Sequence, residues 1–140
     1  MSALPDESVA NLLAGAGLGL TLAGNLFRGP VRPPNPPLVP HASVFVLTTG
    51  GPPPDPYLQS AAGQPSIYRS NVQVRVRSDV GAFSAAQTLA EAIKNKLHLA
   101  TLDLSGVLAC FAMESAPIYL GRDDTEHHEF SLNASVWWEY

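Results

Sequence analysis

Ser70-Asn-Val-Gln-Val-Arg-Val-Arg-Ser78 and, four residues later, Ala82-Phe-Ser-Ala-Ala-Gln-Thr-Leu-Ala-Glu-Ala-Ile-Lys-Asn-Lys-Leu97 carry two different periodicities. The first alternates. Val72, Val74 and Val76 face one way and Gln73, Arg75 and Arg77 the other, which is the pattern of a strand covered on one face. The second repeats at helical spacing. Ala86, Leu89, Ala90, Ile93 and Leu97 make one apolar stripe, with Gln87, Glu91, Lys94 and Asn95 toward solvent. A half-covered strand followed by an amphipathic helix predicts a sheet with helices on one face.

The same reading extends both ways. Ahead of this pair, Pro5 suits a first helical turn, and Asp6 and Glu7 follow where negative charge opposes the helix dipole favourably. Val9, Leu12, Leu13 and Ala16 continue that helix as one stripe until Gly15, Gly17 and Gly19 end it. Leu18, Leu20 and Leu22 then alternate with small residues, so a strand is expected to run on to about Phe27. Ser43-Val-Phe-Val-Leu-Thr-Thr49 reads as a buried strand. After the second helix, a strand is expected at 107–113, a break at Ser115-Ala-Pro117, and a last strand at about 128–139. Phe130, Leu132, Ala134, Val136 and Trp138 share one face of it, which turns Trp137 outward beside Ser135 and Asn133. Helices and strands do not alternate strictly, which excludes a parallel doubly wound sheet. The expectation is an α+β fold in one domain, with a mainly antiparallel sheet of about four strands and both helices on one face.

Proline is unevenly placed. Ten of thirteen prolines lie between Pro30 and Pro56, in two clusters, and each removes a backbone donor. Loops are therefore expected at about 29–42 and 50–65. Pro52, Pro53, Pro54 and Pro56 stiffen the start of the second loop, and Tyr57 and Leu58 follow at once. An extended arm carrying an aromatic and an aliphatic side chain is a candidate anchor on a partner, mobile until it docks.

The chain has 140 residues, enough for one domain with a real core. Charged residues are 14% of it, against roughly 25% in an average soluble protein. A surface so poor in charge suits a subunit buried in an assembly. The formal net charge of −4 argues against a dedicated nucleic-acid binder. The single cysteine cannot form an internal disulfide. Residues 1–7 carry two acids and lack the basic start of a signal peptide. The charge-free run from Ser8 to Phe27 is long enough for a membrane span, but its four glycines and its change of periodicity argue for a helix followed by a strand.

Few residues suggest chemistry. Gly15-Ala-Gly17-Leu-Gly19 has the wrong spacing for a dinucleotide loop and no strand before it. Asp123-Asp-Thr-Glu-His-His-Glu129 is the one metal-like cluster, yet adjacent His127 and His128 point to opposite faces of a strand. It reads more simply as a polar turn between the last two strands. Cys110 lies inside an apolar strand, as core cysteines do. No serine sits in a Gly-x-Ser-x-Gly elbow. Neither a cofactor, a metal nor a catalytic site is expected. Arg75 and Arg77, side by side on a sheet face, and Trp137, a large aromatic turned outward, are candidate contact residues.

Five stretches occur in a fixed order: Asn25-Leu-Phe-Arg-Gly-Pro30, Thr48-Thr-Gly-Gly-Pro-Pro53, Val72-Gln-Val-Arg-Val-Arg77, Ser115-Ala-Pro-Ile-Tyr-Leu-Gly-Arg-Asp123 and Glu129-Phe-Ser-Leu-Asn133. With the second helix between the third and fourth, the set resembles the minor capsid and tail-terminator family of long-tailed bacteriophages over nearly the whole chain. The resemblance implies a small structural α+β subunit of the virion, assembled in the host cytoplasm. It implies a homo-oligomeric ring of six that caps the tail-tube protein, stops tube growth and presents a surface to the head-tail connector or stopper. DNA would pass through the ring without specific binding, and no membrane is involved. An acidic chain suits such a channel, because phosphate binding comes mainly from Lys and Arg. Two other classes remain open at this level: a neck or head-completion protein at the portal, and a small metal-dependent enzyme using the 123–129 cluster.

Overall fold

The computed structural model describes residues 4–29, 42–52, 55–56, 66–98, 107–122 and 126–139. The elements in chain order are α1 (Pro5–Ala14), β1 (Leu26–Arg28), β2 (Ser43–Gly50), β3 (Asp55–Pro56), β4 (Ser66–Val80), α2 (Phe83–Leu97), β5 (Val107–Ala112), β6 (Ile118–Arg122) and β7 (His127–Glu139). All the strands belong to one sheet, ordered β1-β2-β4-β7-β5, with β3 also on β4 and β6 also on β7. The α+β class holds, but seven strands replace the expected four or so. Pairing is antiparallel except for β1 and β2, which run parallel.

The sheet is built on β4 and β7, paired from Ile67 opposite Glu139 to Val80 opposite His127. Cross-strand partners share a face, so the register sets two surfaces. Val44, Val76 and Phe130 align across three strands, as do Val46, Val74 and Leu132. These side chains meet Val9, Ala10 and Leu13 of α1 and Ala86, Ala90, Ile93 and Leu97 of α2 in one buried cluster. Both helices therefore cover the same face. Each fully buried Val, Leu or Ile there contributes roughly 1.5–3 kcal/mol. Cys110 and Val136 extend the cluster toward β5. None of the described helices is long and apolar enough to cross a membrane.

The expected strand from Leu18 to Phe27 does not form. Gly17, Gly19 and Ala23 all take positive φ, and the Asn25 side chain folds the chain back on itself. Its Oδ1 accepts from Thr21 N at 2.7 Å and its Nδ2 donates to Gly19 O at 3.0 Å. Leu22 keeps a single bridge to Leu26, and only β1 remains a strand. Asparagine and glycine supply local turn bonds that outcompete a ladder. The first helix ends at Ala14, before the expected Ala16.

The second revision lies at β6. Pro117 does break a strand, as expected, but pairing resumes at once on the same edge of β7. That edge is shared. β5 holds it opposite Ala134–Trp138, and β6 holds it opposite His128–Ser131. Between them the ladder is closed by other means. Met113 N donates to Asn133 O at 2.9 Å, and the Glu114 carboxylate accepts from Asn133 N at 2.9 Å and from its Nδ2 at 2.7 Å. A side-chain carboxylate thus stands where a strand carbonyl would be. Ser78 does the same at the β4 bulge, where its Oγ accepts the His128 N–H at 2.8 Å.

At the far end of β2, Thr49 Oγ1 donates to Asn71 O at 3.2 Å, and a Cβ on Gly51 would collide with the Arg69 carbonyl. Only glycine lets the chain cross β4 so closely. Within the expected 50–65 loop, Asp55 and Pro56 form β3 and pair with Ile67 and Ser66.

The β5–β6 junction yields a prediction. Replacing Glu114 by Ala leaves the Asn133 N–H and one amide donor without their acceptor. Loss of about 1–3 kcal/mol is expected, read as a lower urea midpoint. A Glu114→Ala chain that unfolds at the wild-type midpoint would show that the carboxylate does not hold the junction.

Candidate assembly surfaces

None of the described helices lies on the second face of the sheet. Phe45 aligns with Arg75 and Ser131, Leu47 with Gln73 and Asn133, and Arg69 with Trp137. Arg75 is exposed there and Arg77 half-buried. The alternation of 70–78 places both as expected. The Arg77 guanidinium lies 5.8 Å from the Phe45 ring, and Phe45 stacks on Phe27 at 5.8 Å. Arginine covers aromatic faces well, being planar and weakly hydrated.

Trp137 is on this outer face, as the alternation of the last strand places it. The Arg69 guanidinium sits 4.7 Å from its ring, Phe111 meets it edge-on at 5.7 Å, and its Nε1 donates to Ser135 Oγ at 3.1 Å. Cross-strand neighbours leave it half-buried within its own subunit. Pro52 is exposed directly after Gly51. Pro53, Pro54, Tyr57 and Leu58 lie outside the described residues, as does the side chain of Trp138.

The 123–129 cluster is placed in part. Residues 123–125 lie outside the described residues. Glu126, with positive φ, pairs with Arg122 at 3.0 Å. His127 is buried, whereas the His128 ring lies 2.9 Å from the Tyr119 hydroxyl and edge-on to Phe83. Among the described residues no three His, Cys, Asp or Glu side chains gather around one point. The turn joins β6 to β7 rather than β5 to β7. Cys110 is buried in the core, and burial raises its thiol pKa from 9.0 to about 11.

Sequence reasoning missed β6 and what surrounds it. Ile118, Tyr119 and Leu120 are each nearly half exposed. Tyr119 packs against Phe83 and Phe130, with centroids 5.3 and 5.2 Å away. Behind the β5–β6 junction a cleft of about 410 Å³ is lined by Lys94, Asn95, His98, Met113, Glu114 and Ser115. Lys94 Nζ donates to Ser115 O at 2.5 Å and pairs with Glu91 at 2.9 Å. Five residues without alternation give a weak strand signal, and Pro117 beside them reads as the start of a loop.

The family described as "Bacteriophage tail terminator protein" matches residues 25–137, from the residue before β1 nearly to the end of β7. The chain belongs to that family. It is thus a structural component of a virion. The five stretches that carry the resemblance all fall within the matched region. Among solved structures, the chain is similar to one described as "Virion of native gene transfer agent (GTA) particle", with a TM-score of 0.56 and 16% sequence identity. The alignment covers 97% of this chain and 87% of that one, and at this identity it is a likeness of fold. No curated protein sequence matches the chain. α1 lies outside the family match.

The thiol gives a prediction with a definite sign. Between pH 9 and about 11 the unfolded chain releases the Cys110 proton while the folded chain keeps it. The unfolded state then binds fewer protons, so this group lowers stability as pH rises through that window. At pH 8 a thiol reagent is expected to label Cys110 only after denaturant is added. Rapid stoichiometric labelling of the native chain would contradict its burial.

Proposed function

We propose that the protein is a tail terminator in the full sense. Six copies form a ring on the last ring of tail-tube subunits, stop further tube growth, and offer their other surface to the head-tail connector or stopper. The observation that carries this reading is the family match over residues 25–137, which takes in β1 through nearly all of β7. Composition supports it. With 14% charged residues and a net charge of −4, the chain suits a subunit enclosed on several sides around a passage for DNA. Among the described residues the buried thiol and the separated histidines offer no nucleophile–base pair, which favours a structural over a catalytic role.

Particle images of a mutant lacking the protein test the role. Tails of abnormal length, not joined to heads, are expected. Normal-length tails beside heads that leak DNA would assign the protein to the neck instead. Stoichiometric metal in the purified protein, lost on replacing His127 and His128, would reopen the enzymatic reading. In capped tails a ring of six is expected, and any other number would refute that stoichiometry.

The second proline-rich loop is proposed as a contact with a neighbouring subunit or the tail tube, through Tyr57 and Leu58. Arg75, Arg77 and Pro52 on the described surface are further candidates. Changing Tyr57 and Leu58 together to Ser is expected to lower the fraction of capped tails several-fold without lowering the unfolding midpoint. Capping at the wild-type frequency would remove the loop from the list of anchors.

A further inference from the structure

The end of α2 holds the end of β5 through a histidine. His98 closes the helix in an extended conformation, with its backbone N–H donated to Lys94 O at 3.0 Å. Its ring meets the sheet, where Ala112 N donates to His98 Nδ1 at 3.2 Å. Successive amides of an antiparallel strand point to alternate sides. Met113 N donates to Asn133 O of β7, so the Ala112 N–H points the other way, off the outer edge of β5. β5 is the last strand on that side of the sheet order. Among the described residues, His98 thus takes the place of a further strand at that amide.

The donor fixes the state of the ring. A backbone N–H can only donate, so Nδ1 must be the acceptor. In this arrangement His98 is therefore neutral, with its proton on Nε2. An imidazole that carries both protons has no acceptor left and cannot hold Ala112. Histidine is the side chain whose charge ordinarily changes between about pH 5 and 8. His98 is exposed, so protons reach it from solvent.

The charged ring has a second place to go. His98 stands at the C-terminal end of α2, where unpaired carbonyls carry partial negative charge and accept from cationic side chains. Three other charged groups of α2 lie close in sequence: Glu91, Lys94 and Lys96. Of these Lys94 lines the cleft beside His98, as does Glu114 from the junction. Both are already engaged. Lys94 is held by Glu91 and Ser115 O, and the Glu114 carboxylate by Asn133. Among the described residues, the Ala112 bond therefore depends on the imidazole alone.

We propose that His98 is a proton-sensitive latch between α2 and β5: neutral, it caps the edge of β5 at Ala112; protonated, it turns to the end of its own helix and releases that edge. The β7 side of the junction, where Met113 and Glu114 meet Asn133, uses no imidazole and stays closed. Mild acid thus frees one amide on the outer edge of β5 while the sheet remains paired. The latch does not depend on the ring reading above.

Magnetic resonance on the full chain, labelled with the heavy nitrogen isotope, tests this. At about pH 7.5 a coupling across the hydrogen bond is expected between Ala112 N and His98 Nδ1, with ring shifts of the Nε2–H form; at about pH 5 it should vanish. Protection of the Ala112 amide from exchange, corrected for the intrinsic rate at each pH, is expected to fall about three- to ten-fold over the same change. The Met113 and Asn133 amides should keep theirs. His98→Asn puts an amide oxygen near the place of Nδ1, an acceptor at either pH, so its Ala112 protection should not follow pH. His98→Ala should show the low value throughout.

No coupling at about pH 7.5 while the ring is neutral would overturn the latch. So would Ala112 protection that survives once the ring shifts show both protons. An equal fall in His98→Asn would give the effect to another group. Loss of protection at Met113 and Asn133 together with Ala112 would mean that the whole junction opens, and would overturn the latch as well.

Discussion

The antiparallel pairing of β4 with β7 is the constraint on which the other elements depend. The two strands lie far apart in sequence, yet their register aligns Val72, Val74 and Val76 with Ala134, Leu132 and Phe130. A slip of one residue would turn those apolar sets toward opposite faces. The valines make the register costly to change, and the register in turn fixes where α1, α2, β2, β5 and β6 can dock. Ser78 marks where regular pairing gives way, and its hydroxyl takes the His128 N–H there.

β7 is longer than any one strand beside it on its outer side. Two short strands share that edge, and the gap between them is filled by Met113 and Glu114 rather than left as unpaired backbone. This matters for more than stability. By letting the chain turn and re-enter the sheet, the junction creates β6, a largely apolar strand paired with β7. The exposure of Ile118, Tyr119 and Leu120 is thus a consequence of how the ladder of β7 is completed.

The uncovered sheet face is managed differently. Arginines lie against aromatic rings, Arg69 over Trp137 and Arg77 near Phe45, so apolar area is covered while charge still meets water. That arrangement suits a virion component whose sheet has helices on only one side.

Much of this architecture was readable from periodicity. The strand at 43–49, the alternation of Val72, Val74 and Val76, the stripe from Ala86 to Leu97 and the last strand all rest on repeats that local geometry produces. The order of the motifs named the family. What periodicity could not supply was anything set by contact between distant residues. The alternating leucines at 18–22 look like a strand, but the Asn25 side chain and positive-φ residues make a turn of them. Ile118-Tyr-Leu120 looks like loop after a proline, yet the free edge of β7 makes it a strand. The exposure of those residues, and the cover over Trp137, depend on which chains lie beside them. Hydrogen-bond partners and neighbours across a sheet are assigned by tertiary register, and a one-dimensional pattern carries only which face a side chain takes.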